Sequence, residues 1–427
     1  MRNFFSCLMV VILACFSVQA QIAEKQTLFH ESSLFRQAER YFEKAAYSNA
    51  IHLYQLALSG GSDDYYLKLR LGDCHRLQRN PDKAASWYGQ AFKQKISKPH
   101  IYHYASALAA NEHYTQAAFW YSKNLSYDRG DQRTLAALQS LQELQHLTDY
   151  RYQVKMMDIR LTGNLFSPSY FQNGLVIVGE GNTGGLAKTL TNWNESPYFD
   201  LYFVPVNQGK PGPVRYLDSK INSMLHEGPA VFFDQDRKVI FTRSNGRKSP
   251  DDTRNLQLMI AEKKPSGKWS TPKKLFANPG YSTAHPATYD QGTVLYFSSD
   301  RPGGYGGSDI YRSRFANGSW SQPENLGPAV NTAGNELFPT LDSEGILYFA
   351  SNGHGGLGGL DIFRFKTTET GELVNLGYPI NSSADDFGII FSQDQMEGYF
   401  SSRRTGADRI FRFEKQPQLA KVAVPVN

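Results

Sequence analysis

Leu347-Tyr-Phe-Ala-Ser-Asn-Gly-His-Gly-Gly-Leu-Gly-Gly-Leu-Asp-Ile-Phe363 decides how the chain is read, because nearly the same words stand upstream as Leu295-Tyr-Phe-Ser-Ser-Asp-Arg-Pro-Gly-Gly-Tyr-Gly-Gly-Ser-Asp-Ile-Tyr311. Tyr296 and Tyr348 are 52 residues apart, as are Asp309 and Asp361. A unit copied at a fixed period is one supersecondary module, and such modules stack because none buries its apolar face alone.

Working outward, five apolar runs align, at 175–178, 238–241, 294–297, 346–349 and 397–400. Each follows a short strand and a turn. Each precedes a loop and a further strand, beginning near Asp200, Leu256, Asp309, Asp361 and Ile410, and most units add a fourth strand such as that around Glu324 or Leu373. Four antiparallel strands per unit is the blade of a β-propeller, and a closed ring removes the open sheet edges of a linear array. Five units predict five blades. The last unit stops after its third strand, whereas Tyr152 to Ile159 is an alternating strand with no blade of its own, so pairing the two closes the ring. A sixth blade built on 421–426 is the alternative.

Before the propeller, from about Leu28 to Leu147, the pattern is helical. Ala38, Gly72 and Ala105 align as small residues; so do Ala50, Ala84 and Ala117, each followed four residues on by Tyr54, Tyr88 or Tyr121. The spacings are 34 and 33. Turns are expected at Tyr47-Ser-Asn, Arg79-Asn-Pro and Asn111-Glu-His, with a terminal helix over about 130–146. The fold class is therefore an N-terminal α-solenoid followed by a five-bladed β-propeller.

Residues 1–20 differ from the rest: Arg2 is followed by an apolar stretch from Phe4 to Val18, and Val18-Gln19-Ala20 offers small residues before Gln21. This reads as a secretory signal cut between Ala20 and Gln21. The alternative cut precedes Cys15, where Ile12-Leu13-Ala14-Cys15 resembles a lipoprotein processing site and implies a lipid anchor. No other apolar run is long enough to span a bilayer. The domains are then the signal at 1–20, helical repeats at 21–148, the propeller at 150–416 and a tail at 417–427. A cut at Ala20 leaves Cys74 as the one cysteine, read as a small apolar helix residue.

Charge is bland: 45 basic and 40 acidic residues give +5, with no long run of one sign, so the sequence calls for neither a nucleic-acid nor a polybasic membrane surface. No Gly-x-Ser-x-Gly turn, His-Glu-x-x-His word, phosphate loop or dinucleotide fingerprint occurs. The expectation is no catalytic residue, metal or cofactor. The loops Gly303 to Asp309 and Gly355 to Asp361 are similar to the calcium-binding glycine nonapeptide, but each aspartate falls one place late. Their glycines read as positive-φ turn residues and their aspartates as strand braces. Ile221-Asn-Ser, Val330-Asn-Thr and Ile380-Asn-Ser each precede an acid, Glu227, Glu336 or Asp386; these read as turn brackets rather than as an acidic ring around a pore. His226, His285 and His354 read as equivalent loop positions of different blades.

The small-and-aromatic period resembles the tetratricopeptide repeat. Together with a signal and with blades bearing Leu-Tyr-Phe-Ser-Ser and Gly-Gly-Ser-Asp-Ile-Tyr, the chain resembles the Bacteroidetes periplasmic proteins that join tetratricopeptide repeats to a WD40-like (PD40) propeller, including PorE-type components of type IX secretion. Such proteins often continue into an OmpA-like peptidoglycan-binding domain, which this sequence does not show after its last blade. The resemblance implies a non-enzymatic scaffold in the periplasm or on the periplasmic face of the outer membrane, with envelope or secretion-complex proteins as partners. Mapped residue by residue, the repeat's concave face falls on Phe35, Glu39, Phe42, Tyr66, Asp73, Arg76, Tyr102 and Ser106. The runner-up is a propeller that binds glycan or peptidoglycan fragments; the third reading is a hydrolase.

Overall fold

The computed structural model describes residues 33–59, 64–143, 152–180, 198–246, 254–277, 280–366 and 371–416. The signal with Cys15, Ala20 and Gln21, and the tail with 421–426, lie outside the described residues. Among the described residues seven α-helices come first: α1 Ser33–Glu43, α2 Tyr47–Ser59, α3 Tyr65–Leu77, α4 Pro81–Gln94, α5 Ile101–Ala110, α6 Tyr114–Tyr127 and α7 Gln132–Glu143. Helices through Tyr104 form one compact unit, and the chain from Ala105 onward forms a second that includes the propeller.

In the first unit α1 packs on α2 and α3 on α4. The small residues sit where backbones approach: Ala38, Ala50 and Ala84 are fully buried beside Tyr54 and Tyr88. Gly72 is obligatory, since a Cβ there would lie 2.5 Å from the Tyr88 ring. Cys74 belongs to the same apolar cluster as Ala38, Tyr54 and Leu71. Asp64 caps α3 by accepting from the Tyr66 and Leu67 amides, and Asn80 caps α4 with Pro81 in its first turn. One turn corrects the expectation: Tyr47 opens α2, so the first turn falls on Lys44 to Ala46. Its left-handed residue is Ala45, and those of the next two turns are Arg79 and Glu112. These three positions keep the repeat period even though alanine gains nothing from a positive φ.

The propeller is five antiparallel sheets. The inner strands are β2 Leu165–Phe171, β7 Glu227–Phe233, β11 Thr283–Tyr289, β16 Glu336–Leu341 and β20 Asp386–Phe391. Each pairs with a second strand, β3 Gly174–Glu180, β8 Lys238–Ser244, β12 Val294–Ser299, β17 Leu347–Ser351 or β21 Glu397–Ser402. The third strands are β4 Phe199–Asn207, β9 Leu256–Glu262, β13 Asp309–Ala316, β18 Asp361–Lys366 and β22 Arg409–Lys415. All five expected runs fall on or within one residue of the second strands. The outer edges of blades 1 to 4 come from short strands, among them β10 Lys273–Lys274, β15 Glu324–Asn325 and β19 Glu372–Asn375. The outer strand of blade 5 is β1 Tyr152–Met156, paired antiparallel with β22 from Tyr152 opposite Lys415 to Met156 opposite Phe411. The ring therefore closes with the strand that precedes blade 1, as its alternation predicts.

The core lies between blades, because successive side chains of a strand face opposite neighbours. In β17, Leu347 and Phe349 pack toward Ile310 of blade 3, whereas Tyr348 packs with Ile380 and Phe400 of blade 5. Every inner strand carries a bulge, its register shifting across 167–168, 228–229, 285–286, 338–339 or 388–389. Four of these hold a proline, Pro168, Pro229, Pro286 or Pro339. Proline has no N–H for the ladder, and a bulge is where a strand spares one.

Replacing Gly72 by alanine should destabilise the helical unit by about 1–3 kcal/mol through overpacking against Tyr88. The readout is urea unfolding followed by helical circular dichroism; an unchanged midpoint would contradict the packing described.

Candidate functional site

The sequence-mapped face resolves into two clusters and two separate residues. In the first cluster, Arg70 of α3, which the mapping missed, is the hub. Its guanidinium lies 4.3 Å above the Phe42 ring and 5.3 Å from that of Tyr66, and bonds the Glu39 carboxylate at 2.6 Å. Glu39 also accepts from the Tyr54 hydroxyl. Phe35 of α1 packs on Tyr66 with ring centroids 5.8 Å apart. Phe35, Phe42, Tyr66 and Arg70 are all half-buried, so the aromatic edges reach the surface. The signal for Arg70 was helical spacing: it sits four residues after Tyr66 and three before Asp73, on one face of α3.

In the second cluster Asp73 is buried and already occupied. It accepts from the Tyr88 hydroxyl at 2.8 Å and meets His100 Nε2 at 3.2 Å, with Arg70 3.8 Å away. Burial works against its ionisation, but the bonds from His100 and Tyr88 outweigh it and hold the carboxyl below its ordinary range. Arg76 Nε donates to the same Tyr88 hydroxyl at 3.4 Å. Asp73 therefore locks α3 to α4 and to the turn before α5 rather than offering a free charge. Tyr102 lies outside both clusters, its ring edge-on to His103 at 6.1 Å. Ser106 is half-buried on α5, in the stretch that belongs to the second unit.

The propeller's repeated polar residues are brackets. Asn222 Oδ1 accepts from the Leu201 amide and its Nδ2 donates to the Leu201 carbonyl; Asn331 does the same with Ile310, and Asn381 with Ile362. One side chain thus imitates a strand on each third strand. The following Ser223, Thr332 or Ser382 donates through amide and hydroxyl to Glu227, Glu336 or Asp386. These acids are fully buried, and burial pushes all three carboxyls up. Arg243 closes the Glu227 bracket at 2.7 Å and Arg404 that of Asp386 at 2.8 Å. In the Glu336 bracket Ser351 donates to the carboxylate, while His354 Nε2 meets the Val330 carbonyl at 2.7 Å. The bracket reading of these acids holds.

The glycine loops need a partial correction. Gly303 and Gly355 have positive φ, but their neighbours are glycine because of close approach: a Cβ on Gly304 or Gly356 would meet Asp309 or Asp361 within 2.4 Å. Asp309 accepts from the Tyr305 amide and Asn325, and Asp361 from the Leu357 and Gly358 amides. The carboxylates thus face N–H donors, as a brace requires. Burial raises the Asp361 carboxyl to about 8 despite those donors.

The three histidines are not equivalent, which corrects the alignment. His226 precedes β7 and accepts from the Phe199 amide at 3.2 Å. His285 is the bulge residue of β11 and stacks on Phe338 at 3.9 Å and 18°. His354 lies between β17 and β18. The His285–Phe338 stack continues to Phe387 at 4.6 Å and on to Phe166 at 6.1 Å, forming an aromatic band in the hub. Beside it a cavity of about 200 Å³ runs along the inner strands, walled by residues including Ser167, Pro229, Tyr170 and Gly388.

No protein-family model matches the chain, and no curated protein matches it. Solved structures similar to it include a TolB-like protein from Agrobacterium tumefaciens (14% identity, TM-score 0.36, covering 59% of this chain and 78% of that one). A gluconolactonase from Xanthomonas campestris matches at 12% and 0.37, covering 62% and 90%, and a thermostable family-43 glycoside hydrolase at 15% and 0.38, covering 61% and 92%. Likeness this remote carries no functional argument.

Two histidines, His75 buried and His226 half-buried, set a pH dependence. Neither ring nitrogen of His75 has a hydrogen-bond partner, and burial lowers it to about 4, as it does His226. Below the ordinary value of 6.5 the unfolded chain takes up protons that the folded chain refuses, so stability should fall from there to about pH 4. His75→Leu should remove its share of that loss, on the order of 1–3 kcal/mol, measured by urea unfolding across this window. An unchanged pH slope would contradict the assignment.

Proposed function

We propose that the protein is a non-enzymatic scaffold of the cell envelope whose helical unit holds a protein partner through α1 and α3. One observation carries the reading: Phe35, Phe42 and Tyr66 stand half-exposed around an arginine whose position is fixed by Glu39 and Asp73. Aromatic edges around a rigid guanidinium suit an extended peptide or an amphipathic helix, and such residues dominate the energetics of protein interfaces. The propeller's repeated acids, asparagines and serines are spent on brackets, which supports a holding role for that domain rather than catalysis by those groups. Export through the N-terminal signal, with or without a lipid on Cys15, and membership of a secretion complex are parts of the same proposal, resting on the sequence resemblance.

A second reading, glycan binding, is favoured by one place on the propeller. Tyr170 is partly exposed at the cavity wall, edge-on to Tyr399 at 6.0 Å, with Glu397 and Asp394 acting on it electrostatically.

The test is a cross-linked pull-down of the processed chain from its native envelope, beside Tyr66→Ala and Arg70→Met. Partner proteins cross-linked within residues 33–104, with recovery cut about tenfold or more by Arg70→Met at retained helicity, are the expected result. Undiminished recovery would move the interface off this face. Recovery of peptidoglycan fragments alone would favour the Tyr170 reading.

A further inference from the structure

Although the chain's charge is nearly balanced, its propeller is not evenly charged at the outer edges. In blade 3 the outer rim pairs Arg312 with Glu324 at 2.8 Å, and in blade 4 Arg364 with Glu372 at 3.4 Å. In blade 5 the pairs of Arg412 with Glu397 and Glu414 lie on β21 and β22, inside the outer strand β1. Blade 2 differs from blades 3 and 4. Its outer hairpin and edge strand carry Lys264, Lys268, Lys273 and Lys274, all exposed, and none makes an ion pair among the described residues. The nearby Glu262 is shared with Lys238 of the neighbouring strand at 3.9 Å. A fifth lysine, Lys263, is turned away and stacks over Trp269 and Phe171.

The geometry keeps these charges together. Lys264 and Lys268 close the hairpin through a 2.8 Å backbone bond, while Lys273 and Lys274 lie opposite Ile260 and Met259 on β9. The two pairs are thus separated by about 13 Å along the strand, at ~3.3 Å per residue. A lysine or two on an edge strand is enough to discourage sheet-to-sheet association. That role accounts for Lys273 and Lys274 but not for Lys264 and Lys268 at the turn, nor for the lack of the acidic partners found on the rims of blades 3 and 4.

We propose that the outer edge of blade 2 is a docking surface for an anionic membrane, with Lys264, Lys268, Lys273 and Lys274 reaching lipid phosphates. Four unneutralised ammonium groups on one rigid rim suit a plane of headgroups, each contributing about fivefold to the partition. The choice of membrane over another polyanion rests on the envelope placement proposed above; it does not depend on the helical face. A failed pull-down would leave this surface standing.

The experiment is co-sedimentation of the purified processed chain with vesicles of phosphatidylcholine alone or mixed with phosphatidylglycerol, at ionic strengths from about 0.05 to about 0.5 M. Binding to the anionic vesicles, abolished by salt and weakened at least about 100-fold in the K264Q/K268Q/K273Q/K274Q variant, is expected. The matching lysine-to-arginine variant should bind like the parent, and both should melt at the parent's temperature. Equal binding by parent and glutamine variant, or none by the parent, would overturn the proposal. Equal or tighter retention of the parent by duplex DNA under the same salt would overturn the lipid assignment.

Discussion

The propeller depends on one junction, the antiparallel pairing of β1 with β22. Five blades can form a ring only if the last is held to the first, and no covalent bond does this. The residues leading into blade 1 supply the outer strand of blade 5 instead, so the chain's entry and exit are tied by a five-residue ladder. Val154 and Tyr152 add side chains to the cluster of Ile362, Ile389, Phe400 and Phe413. Met157 and Ile159, just past β1, then pack with Leu165, Tyr202 and Ile410 between blades 5 and 1. The latch thus joins two inter-blade cores, and its loss would expose both.

Around that closed ring the blades are held by the same device used repeatedly. A buried asparagine joins a connecting turn to a third strand, the apolar residue before it (Ile221, Val330 or Ile380) enters the core between blades, and the acid after it secures the next inner strand. Leaving a buried amide and carbonyl unpaired costs about 1–3 kcal/mol, so each asparagine is worth more than its size suggests. Between blades 2 and 3 the device is reduced: Ser282 accepts from the Leu256 amide, and Thr283 occupies the place of the acid. The asparagines and acids of these connections, which look chemical in the sequence, are therefore structural.

Much of this was legible beforehand, for physical reasons. Second and third strands announced themselves because both faces are buried between blades, which forces dense apolar runs such as Leu347-Tyr-Phe-Ala. The helical register was legible because Gly72 and the alanines mark contacts where no larger residue fits. Pro168, Pro286 and Pro339 are plain in the sequence, but their meaning is not: only the ladder shows that they occupy bulges facing the hub. Arg70 escaped because its role depends on Phe42 and Glu39 from another helix, and His100 because it reaches Asp73 across 27 residues. The glycine loops were read for backbone freedom, whereas Gly304 and Gly356 yield space to a buried aspartate and Gly306 and Gly358 to the backbone of the next connecting turn, contacts that no spacing rule encodes. The imbalance of the blade 2 rim is likewise hidden by a net charge that averages it away.

The most direct test of the closed ring is native-state hydrogen exchange of the β22 amides, from Arg409 to Lys415. If β1 covers that strand, its outward-facing amides should be as protected as those of β4, β9, β13 and β18, which are third strands in their own blades. Exchange at the rate of an uncovered edge strand, with β1 itself unprotected, would show that the ring is not latched by this pairing and would contradict the account.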